Sequence, residues 1–377
     1  MKKIFTIVCL AMFVLALAAP VFADPVLRIG VYQPLTGANA AGGILELRGI
    51  QLAHELFPTV DIGGVTHRVE LFVADNRSDR VEAPLVVERL IDQDRVHLIL
   101  GTWGSSMAIP GGAVGMAREM PMIALSATNP LVTRDNPWYF RVCFIDPFQG
   151  VVMANYAYTH LNARTAVLVQ EITNDYSVGL ARFFSEHFTR LGGSVLATVN
   201  YNTGDTDFTA QLTSVRTHNP DVIFAPGNFT ESALVMRQAR DLGITQPFLG
   251  GDTWETDQFL TVGGDRVEGA TFSTKFAVEF AETPEAQQFV SEFKKRWPDE
   301  QIASVTALGY DGYLVALDAV KRAGSLNNHS IREALTTTNV PGATATTTFD
   351  EHGDAVKAAF IKDVHNGQFR FLTLVEP

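Results

Sequence analysis

The chain has 377 residues, with 41 acidic and 29 basic side chains and a formal net charge of −12. This acidic balance argues against nucleic acid and anionic membrane surfaces as partners, because both repel negative charge. The length exceeds the roughly 250–300 residues at which one hydrophobic core usually splits, so we expect two domains.

Residues 1–23 have the three parts of an export signal. Lys2 and Lys3 precede an apolar stretch over 4–19, and Val21-Phe22-Ala23 provides a small-residue cleavage box. We expect cleavage before Asp24. An uncleaved membrane anchor is the alternative. No later apolar run approaches the ~20 residues of a membrane helix.

Strands and helices alternate along the first half of the chain. The patterns predict strands at 26–31, 67–74, 98–100 and 122–125, and helices at 45–57, 82–93 and from 104 to the stop at Pro121. A loop is expected near 133–149, where Pro137 and Pro147 interrupt the pattern. This order is typical of a parallel, doubly wound sheet.

The same order of elements returns after the loop. Strands are predicted at 165–170, 195–201, 222–225 and 248–249, and helices at 178–191, 208–217 and 231–242. Further helices are predicted at 284–296, 306–323 and 330–336, followed by a hairpin over 356–364 and 369–374 around Asn366-Gly367. The chain therefore predicts a second α/β unit of the same plan.

Small hydroxyl residues follow two neighbouring strands of the first unit. Gly104-Ser105-Ser106 comes after 98–100, and Ser126-Ala127-Thr128 ends 122–125. Ligands bind at the carboxyl ends of parallel strands, and a helix N-terminus there favours an anion. These residues predict an anion cradle. The alternative is that Ser105 and Thr128 only cap helices.

The sequence lacks the usual catalytic and metal-binding patterns. It has no Cys/His set with zinc spacing, no P-loop, no GxSxG and no HExxH. Cys143 is the only cysteine after the leader, and its apolar neighbours predict an inert, buried thiol. We therefore expect no metal and no cofactor. An enzyme on the same scaffold is the less favoured hypothesis.

An ordered set of segments resembles the type I periplasmic solute-binding proteins of ABC importers, specifically the branched-chain amino acid (Leu/Ile/Val) binding family. The resemblance is carried by IGVYQPLTGANAAGG at 29–43, LILGTWGSS at 98–106, SATNP at 126–130, NDYSVGLA at 174–181, MRQARDLGI at 236–244, FLGGD at 248–252, YDGYLVALDAV at 310–320 and TFDEHGD at 348–354. It covers nearly the whole chain after the leader.

The resemblance implies an α/β fold of two doubly wound lobes joined by a three-crossing hinge. It places 24–144 and 276–347 in lobe 1, and 145–275 and 348–377 in lobe 2, with hinges near 143–147, 272–276 and 346–350. It also implies a periplasmic monomer that traps an amino acid between its lobes and delivers it to a membrane permease. No nucleic acid and no membrane insertion after cleavage are expected.

The resemblance also assigns ligand-binding roles. Ser105 and Thr128 would hold the ligand carboxylate, the Ser126 carbonyl and Asp252 would hold its ammonium, and Tyr176 would close over it. The full set of expected ligand-binding residues is Trp103, Gly104, Ser105, Ser126, Ala127, Thr128, Tyr176, Asn228 and Asp252. A charged group that leaves water must be paired, or binding loses several kcal/mol.

The chain departs from the family pattern around the ligand's side chain. Relatives have a disulfide at the positions of Ser78 and Gly104, an aromatic residue at Gly42, a tyrosine near Asn228 and a smaller aliphatic residue at Trp103. The ligand class is therefore better defined than the ligand. An aromatic carboxylate or an amide is the alternative ligand, and a soluble ligand sensor is the alternative role.

Overall fold

The computed structural model describes residues 25–377. The predicted leader over 1–23 lies outside the described residues. Two separate sheets organise the rest, and each forms the centre of an α/β layer structure. We call the parts built on them the first and the second lobe.

The first sheet has six strands in the order β2-β3-β1-β4-β5-β6. All neighbours are parallel except β2, which pairs antiparallel with β3 at one edge. The strands are β1 (Val26–Gln33), β2 (Thr59–Ile62), β3 (Val65–Asp75), β4 (Leu98–Leu100), β5 (Met122–Ala124) and β6 (Tyr139–Arg141). The short apolar strands β4 and β5 are fully buried, as expected for the centre of a parallel sheet.

The second sheet has seven strands in the order β15-β14-β11-β10-β9-β7-β8. Five are parallel, and the antiparallel hairpin β14–β15 closes one edge. The strands are β7 (Thr165–Glu171), β8 (Ser194–Tyr201), β9 (Val222–Phe224), β10 (Phe248–Gly250), β11 (Thr271–Thr274), β14 (Ala359–His365) and β15 (Gln368–Val375). A small separate ribbon joins β12 (Asn339–Val340) to β13 (Thr347–Thr348).

The α-helices cover the sheets through apolar faces. They are α1 (Ala40–Leu56), α2 (Glu82–Asp92), α3 (Ser105–Ala117), α4 (Asp146–Asn155), α5 (Asp175–Arg190), α6 (Thr209–His218), α7 (Phe229–Asp241), α8 (Asp257–Gly263), α9 (Pro284–Arg296), α10 (Ser304–Ala323) and α11 (Asn328–Thr336). Helix α5 shows why such segments fold locally. The Asn174 side chain caps its first turn by accepting from the Tyr176 amide, and Phe184 and Phe188 are buried on one side.

The chain passes between the two sheets three times. It leaves the first lobe after Arg141, returns to the core of that lobe after Thr274, and crosses again after Thr348. One hydrophobic core of the first lobe combines residues from 27–143 with residues from 276–343, so the two chain segments fold as one unit. The exact lobe boundaries and hinge positions stay predictions.

The structure corrects two local predictions. The expected loop near 133–149 contains β6 and the start of α4, where Pro147 occupies an early helical position that tolerates proline. The N-cap of α3 is Gly104, with a φ of 90°, and Ser105 is already the first helical residue. Glycine adopts this φ without strain, so it starts the helix there. The predicted burial of Cys143 is confirmed, the thiol has no disulfide partner among residues 25–377, and burial raises its pKa to about 12.

Candidate functional site

The predicted site residues lie at the carboxyl ends of strands from both sheets. Ser105 follows β4 and Ser126 follows β5 in the first lobe, while Asp252 follows β10 in the second. Tyr176, at the start of α5, reaches the Asp252 carboxylate. Of the nine predicted residues, all except Gly104 are buried. These residues therefore lie inside the protein, where segments of the two lobes meet.

The predicted anion cradle has free hydroxyl groups. The Ser105 Oγ accepts the Asn129 amide at 3.2 Å and keeps its own proton available. The hydroxyls of Ser126 and Thr128 are buried beside the Glu46 and Asp146 carboxyls, respectively, but make no well-formed hydrogen bond among the described residues. Neither Ser105 nor Thr128 caps a helix, so the capping alternative is wrong. Buried hydroxyls normally have partners, so these groups fit a polar molecule that binds here.

A buried arginine holds the cradle segment in place. Arg141 donates through Nη1 to the carbonyls of Ala127 and Asn129, at 2.9 and 2.7 Å. Its Nε and Nη2 donate to Oδ1 of Asp354 at 2.8 and 2.6 Å, which satisfies the buried charge. The backbone around Thr128 is therefore fixed by a residue that the sequence analysis did not single out.

Asp252 lies in a dense polar network instead of an open turn. Its Oδ1 accepts Gln149 Nε2 at 2.7 Å and the Tyr176 hydroxyl at 3.1 Å. Its Oδ2 forms an ion pair with the Lys275 ammonium, and both side chains are almost fully buried. Burial and the adjacent Asp252 charge hold the pKa of Tyr176 well above its usual value, so its hydroxyl is a donor.

Two further acids, Glu46 and Asp146, are fully buried beside this network. Burial raises the pKa of Glu46 to about 7, while the nearby Ser126 hydroxyl, Gln33 and Lys275 oppose the rise. Burial raises the pKa of Asp146 to about 7, against the opposing effect of the Thr128 hydroxyl. Both oxygens of Asp146 and Oε1 of Glu46 have no partner within the described residues. When ionised, these carboxyl oxygens are acceptors, which suits a ligand that carries N–H donors.

The indole of Trp103 lies between the two lobes. Trp103, 2% exposed, packs against Phe229 of the second lobe with ring centroids 5.8 Å apart. A Cβ on Gly42 would overlap the indole, so the glycine makes room for it. Next to it, Asn228 Nδ2 donates to Asn39 Oδ1 at 3.0 Å, between the lobes. Trp103, Asn39 and Asn228 border a cavity of about 430 Å³ that also includes Gly104.

The structure brings the predicted residues to the junction of the lobes, with Trp103, Gly104 and Asn228 bordering that cavity and the others buried behind it, and adds residues that the sequence did not indicate. Glu46, Gln149 and Lys275 come from segments far apart in the chain, and no local motif marks them. Within residues 25–377, no cluster of histidine, cysteine and acidic side chains is arranged to hold a metal ion. In the same range, no helix is both long and apolar enough to cross a membrane.

Comparisons with known proteins agree with this architecture. A family model described as "Periplasmic binding protein" matches residues 26–368. An "Amino acid binding protein" from Pseudomonas aeruginosa is 32% identical over 268 residues, which are 70% of each chain.

Solved structures show the same fold. A leucine binding protein from Thermotoga maritima has 40% identity and a TM-score of 0.90, covering 93% of this chain and 99% of that one. A branched-chain amino acid transporter substrate binding protein from Streptococcus pneumoniae, in complex with isoleucine, has 29% identity and a TM-score of 0.86, covering 93% of this chain and 100% of that one. The predicted two-lobed α/β fold is confirmed.

Proposed function

Because this chain belongs to the periplasmic binding protein family, we propose that it captures a neutral α-amino acid between its lobes and delivers it to the permease of an ABC importer. It acts as a monomeric binding protein in the periplasm, after cleavage of residues 1–23, and does not catalyse a reaction. Branched-chain amino acids are the first ligands to test, because similar proteins are named for leucine or were solved with isoleucine.

The observation that supports this proposal is that the site contains both hydroxyl donors and buried carboxyl groups. Free hydroxyls at Ser105 and Thr128 suit a carboxylate. Asp252 and the unpartnered oxygens of Glu46 and Asp146 suit an ammonium. A zwitterion pairs both of its charges in such a site, which a buried charge requires.

One observation favours a second candidate ligand. Lys275 already neutralises Asp252, so the site does not strictly require an ammonium from the ligand. An aromatic carboxylate or an amide would then bind through the cradle alone. The two candidate ligand classes differ in whether they carry an ammonium, so two ligands that differ only in this group can separate them.

The test is a thermal-shift screen of the processed protein, followed by calorimetric titration. L-leucine is compared with 4-methylpentanoate, which lacks only the amine, and with benzoate. We expect L-leucine or another neutral amino acid to raise the melting temperature, because a ligand at 100 times its Kd stabilises the folded state by about 2.7 kcal/mol. A shift with benzoate or 4-methylpentanoate and none with any amino acid would contradict the proposal.

Transport and export need separate measurements. Loss of amino acid uptake in a deletion strain, restored by the gene, distinguishes an importer component from a soluble sensor. The intact mass of exported protein should correspond to a chain that begins at Asp24. Retained residues 1–23 would instead indicate a membrane anchor.

A further inference from the structure

The carboxylate expected to bind the ligand's ammonium is already occupied by an ammonium of the protein. Lys275 Nζ pairs with Asp252 Oδ2, while Gln149 and Tyr176 donate to Oδ1. A carboxylate has about four lone-pair positions, so three of those on Asp252 are in use. A second ammonium at Asp252 would also lie close to the positive charge of Lys275.

From this arrangement we infer that Lys275 determines how strongly the cleft binds amines: it occupies Asp252 in the unliganded protein and turns to Glu46 when the ligand's ammonium takes its place. The inference rests on the proposed function, since it concerns the ammonium of an amino acid. Lys275 then sets the preference for amines, and Glu46 pairs with the Lys275 ammonium after its displacement from Asp252.

Glu46 is suited to receive the displaced side chain. Its Oε2 accepts Gln33 Nε2 at 2.6 Å, whereas its Oε1 is buried and makes no well-formed hydrogen bond in the described part of the chain, with the Ser126 hydroxyl as a neighbour of the carboxyl. Lys275 lies close enough to Glu46 for its charge to oppose the rise in the pKa of that carboxyl. The flexible four-carbon stem of a lysine allows the ammonium to change partner without moving the backbone.

The position of Lys275 connects this exchange to both lobes. It follows β11 in the second sheet, at the point where the chain returns to the first lobe. Asp252 belongs to the second lobe and Glu46, on α1, to the first. The Lys275 ammonium lies 5.5 Å from the centre of the Phe144 ring, and this cation–π contact helps to hold it in the site.

The charges around Lys275 make the exchange favourable. Glu46, Asp146 and Asp252 are buried acids, and Lys275 is the cation that faces them. Arg141 is nearby, but its guanidinium is engaged by Asp354 and backbone carbonyls. Burial raises the pKa of both Glu46 and Asp146 to about 7, so an incoming ammonium would favour their ionised forms. The site therefore accommodates a second positive charge, which the ligand supplies.

The experiment measures L-leucine affinity by calorimetry in Lys275→Met, Glu46→Gln and the double variant. We expect Lys275→Met to bind L-leucine at least threefold more tightly, because the competing ammonium is gone. Glu46→Gln should bind it at least threefold more weakly, because the displaced lysine has no receiving carboxylate. In the double variant, Glu46→Gln should have little further effect. Lys275→Arg, which keeps the charge, should stay close to wild type.

Binding of 4-methylpentanoate, which lacks the amine, provides the control. Its affinity should not rise in Lys275→Met. Weaker L-leucine binding in Lys275→Met, or effects of the two single variants that simply add, would overturn the inference. Lys275→Gln serves as a second variant if Lys275→Met is unstable, with the same expected direction. If the wild-type protein binds no amino acid, the proposed function fails; if it binds one but Lys275→Met does not tighten it, only this inference fails.

Discussion

The Asp175 amide donates a 2.9 Å hydrogen bond to the Ser106 hydroxyl oxygen, which joins the first turn of α5 in the second lobe to the first turn of α3 in the first lobe. Beside it, Asn129 Nδ2 donates to the Asp175 carbonyl at 2.8 Å. The two lobes are therefore in direct polar contact at the edge of the site.

Ser106→Ala should weaken ligand binding because it removes this hydrogen bond between the lobes. A net hydrogen bond contributes about 0.5–1.5 kcal/mol, so we expect affinity to fall by roughly twofold to tenfold. Solution scattering at saturating ligand should still show a compact protein, because the other contacts remain. Ser291→Ala, on an exposed helical position of the first lobe, is the matched control. Equal affinities in Ser106→Ala and wild type would show that this contact does not contribute to closure.

Trp103→Leu should shift the ligand preference toward larger side chains. The indole fills the space between Gly42 and Phe229, and a smaller residue would leave room there. One methylene in an apolar pocket changes binding by about 1–3 kcal/mol. We therefore expect the affinity ratio of L-phenylalanine to L-alanine to rise at least about tenfold. Trp138→Leu, a buried indole next to His329, is the control. If Trp103→Leu changes the affinities for L-phenylalanine and L-alanine by the same factor, Trp103 has no role in selecting the ligand's side chain.

The sequence was sufficient for most of the fold because periodic patterns are local. Strands such as β4 and helices such as α9 are encoded by a few adjacent residues, and their predicted positions agree with the structure. The region with Pro137 and Pro147 was misassigned because a proline that starts a helix looks the same, in sequence, as one that breaks it. Only the neighbouring strands show that β6 pairs with β5.

The site was predictable only where a motif marks it. Ser105 and Asp252 were found because they follow strands and match family segments. Lys275 follows a short strand without a distinctive pattern, and Glu46 lies among apolar residues of α1. Their importance comes from burial and from charges brought together by the fold, and neither property is written in the local sequence.

Asp146→Asn should make the pH dependence of stability less steep. The pKa of Asp146 is raised to about 7, so between about pH 4 and pH 7 the unfolded carboxyl ionises while the folded one keeps its proton. The free energy of unfolding therefore falls as pH rises through this window and stays lowered above it. We expect the free energy of unfolding of Asp146→Asn to match that of wild type near pH 4 and to exceed it by about 2–4 kcal/mol at pH 8. Any unfavourable contact of the new amide lowers both values equally.

Denaturant unfolding of Asp146→Asn and wild type across pH 4–8 provides the measurement, and Asp221→Asn is a control with the opposite sign. Hydrogen bonds from the Arg164 backbone lower the pKa of Asp221, so its stabilising effect is present at neutral pH and is lost in acid. Asp221→Asn should be less stable than wild type at pH 7. A difference between Asp146→Asn and wild type that does not vary with pH would mean that Asp146 is ionised in the folded protein.

Asp252→Asn tests the centre of the site. The change keeps the shape of the side chain and removes its charge, which leaves the ligand's ammonium without its carboxylate. Truncating one partner of a buried charge pair costs about 2–5 kcal/mol, so affinity for L-leucine should fall roughly thirty- to several-thousand-fold. The unliganded variant should also melt a few degrees lower, because Lys275 loses its partner and Glu46 offsets only part of that loss.

Affinity of Asp252→Asn for 4-methylpentanoate should not fall comparably, since this ligand has no ammonium to pair. Asp265→Asn, on an exposed segment of the second lobe, is the control. If Asp252→Asn weakens L-leucine binding less than threefold, the ammonium is held elsewhere, and the unpartnered oxygens of Asp146 become the next carboxylate to test.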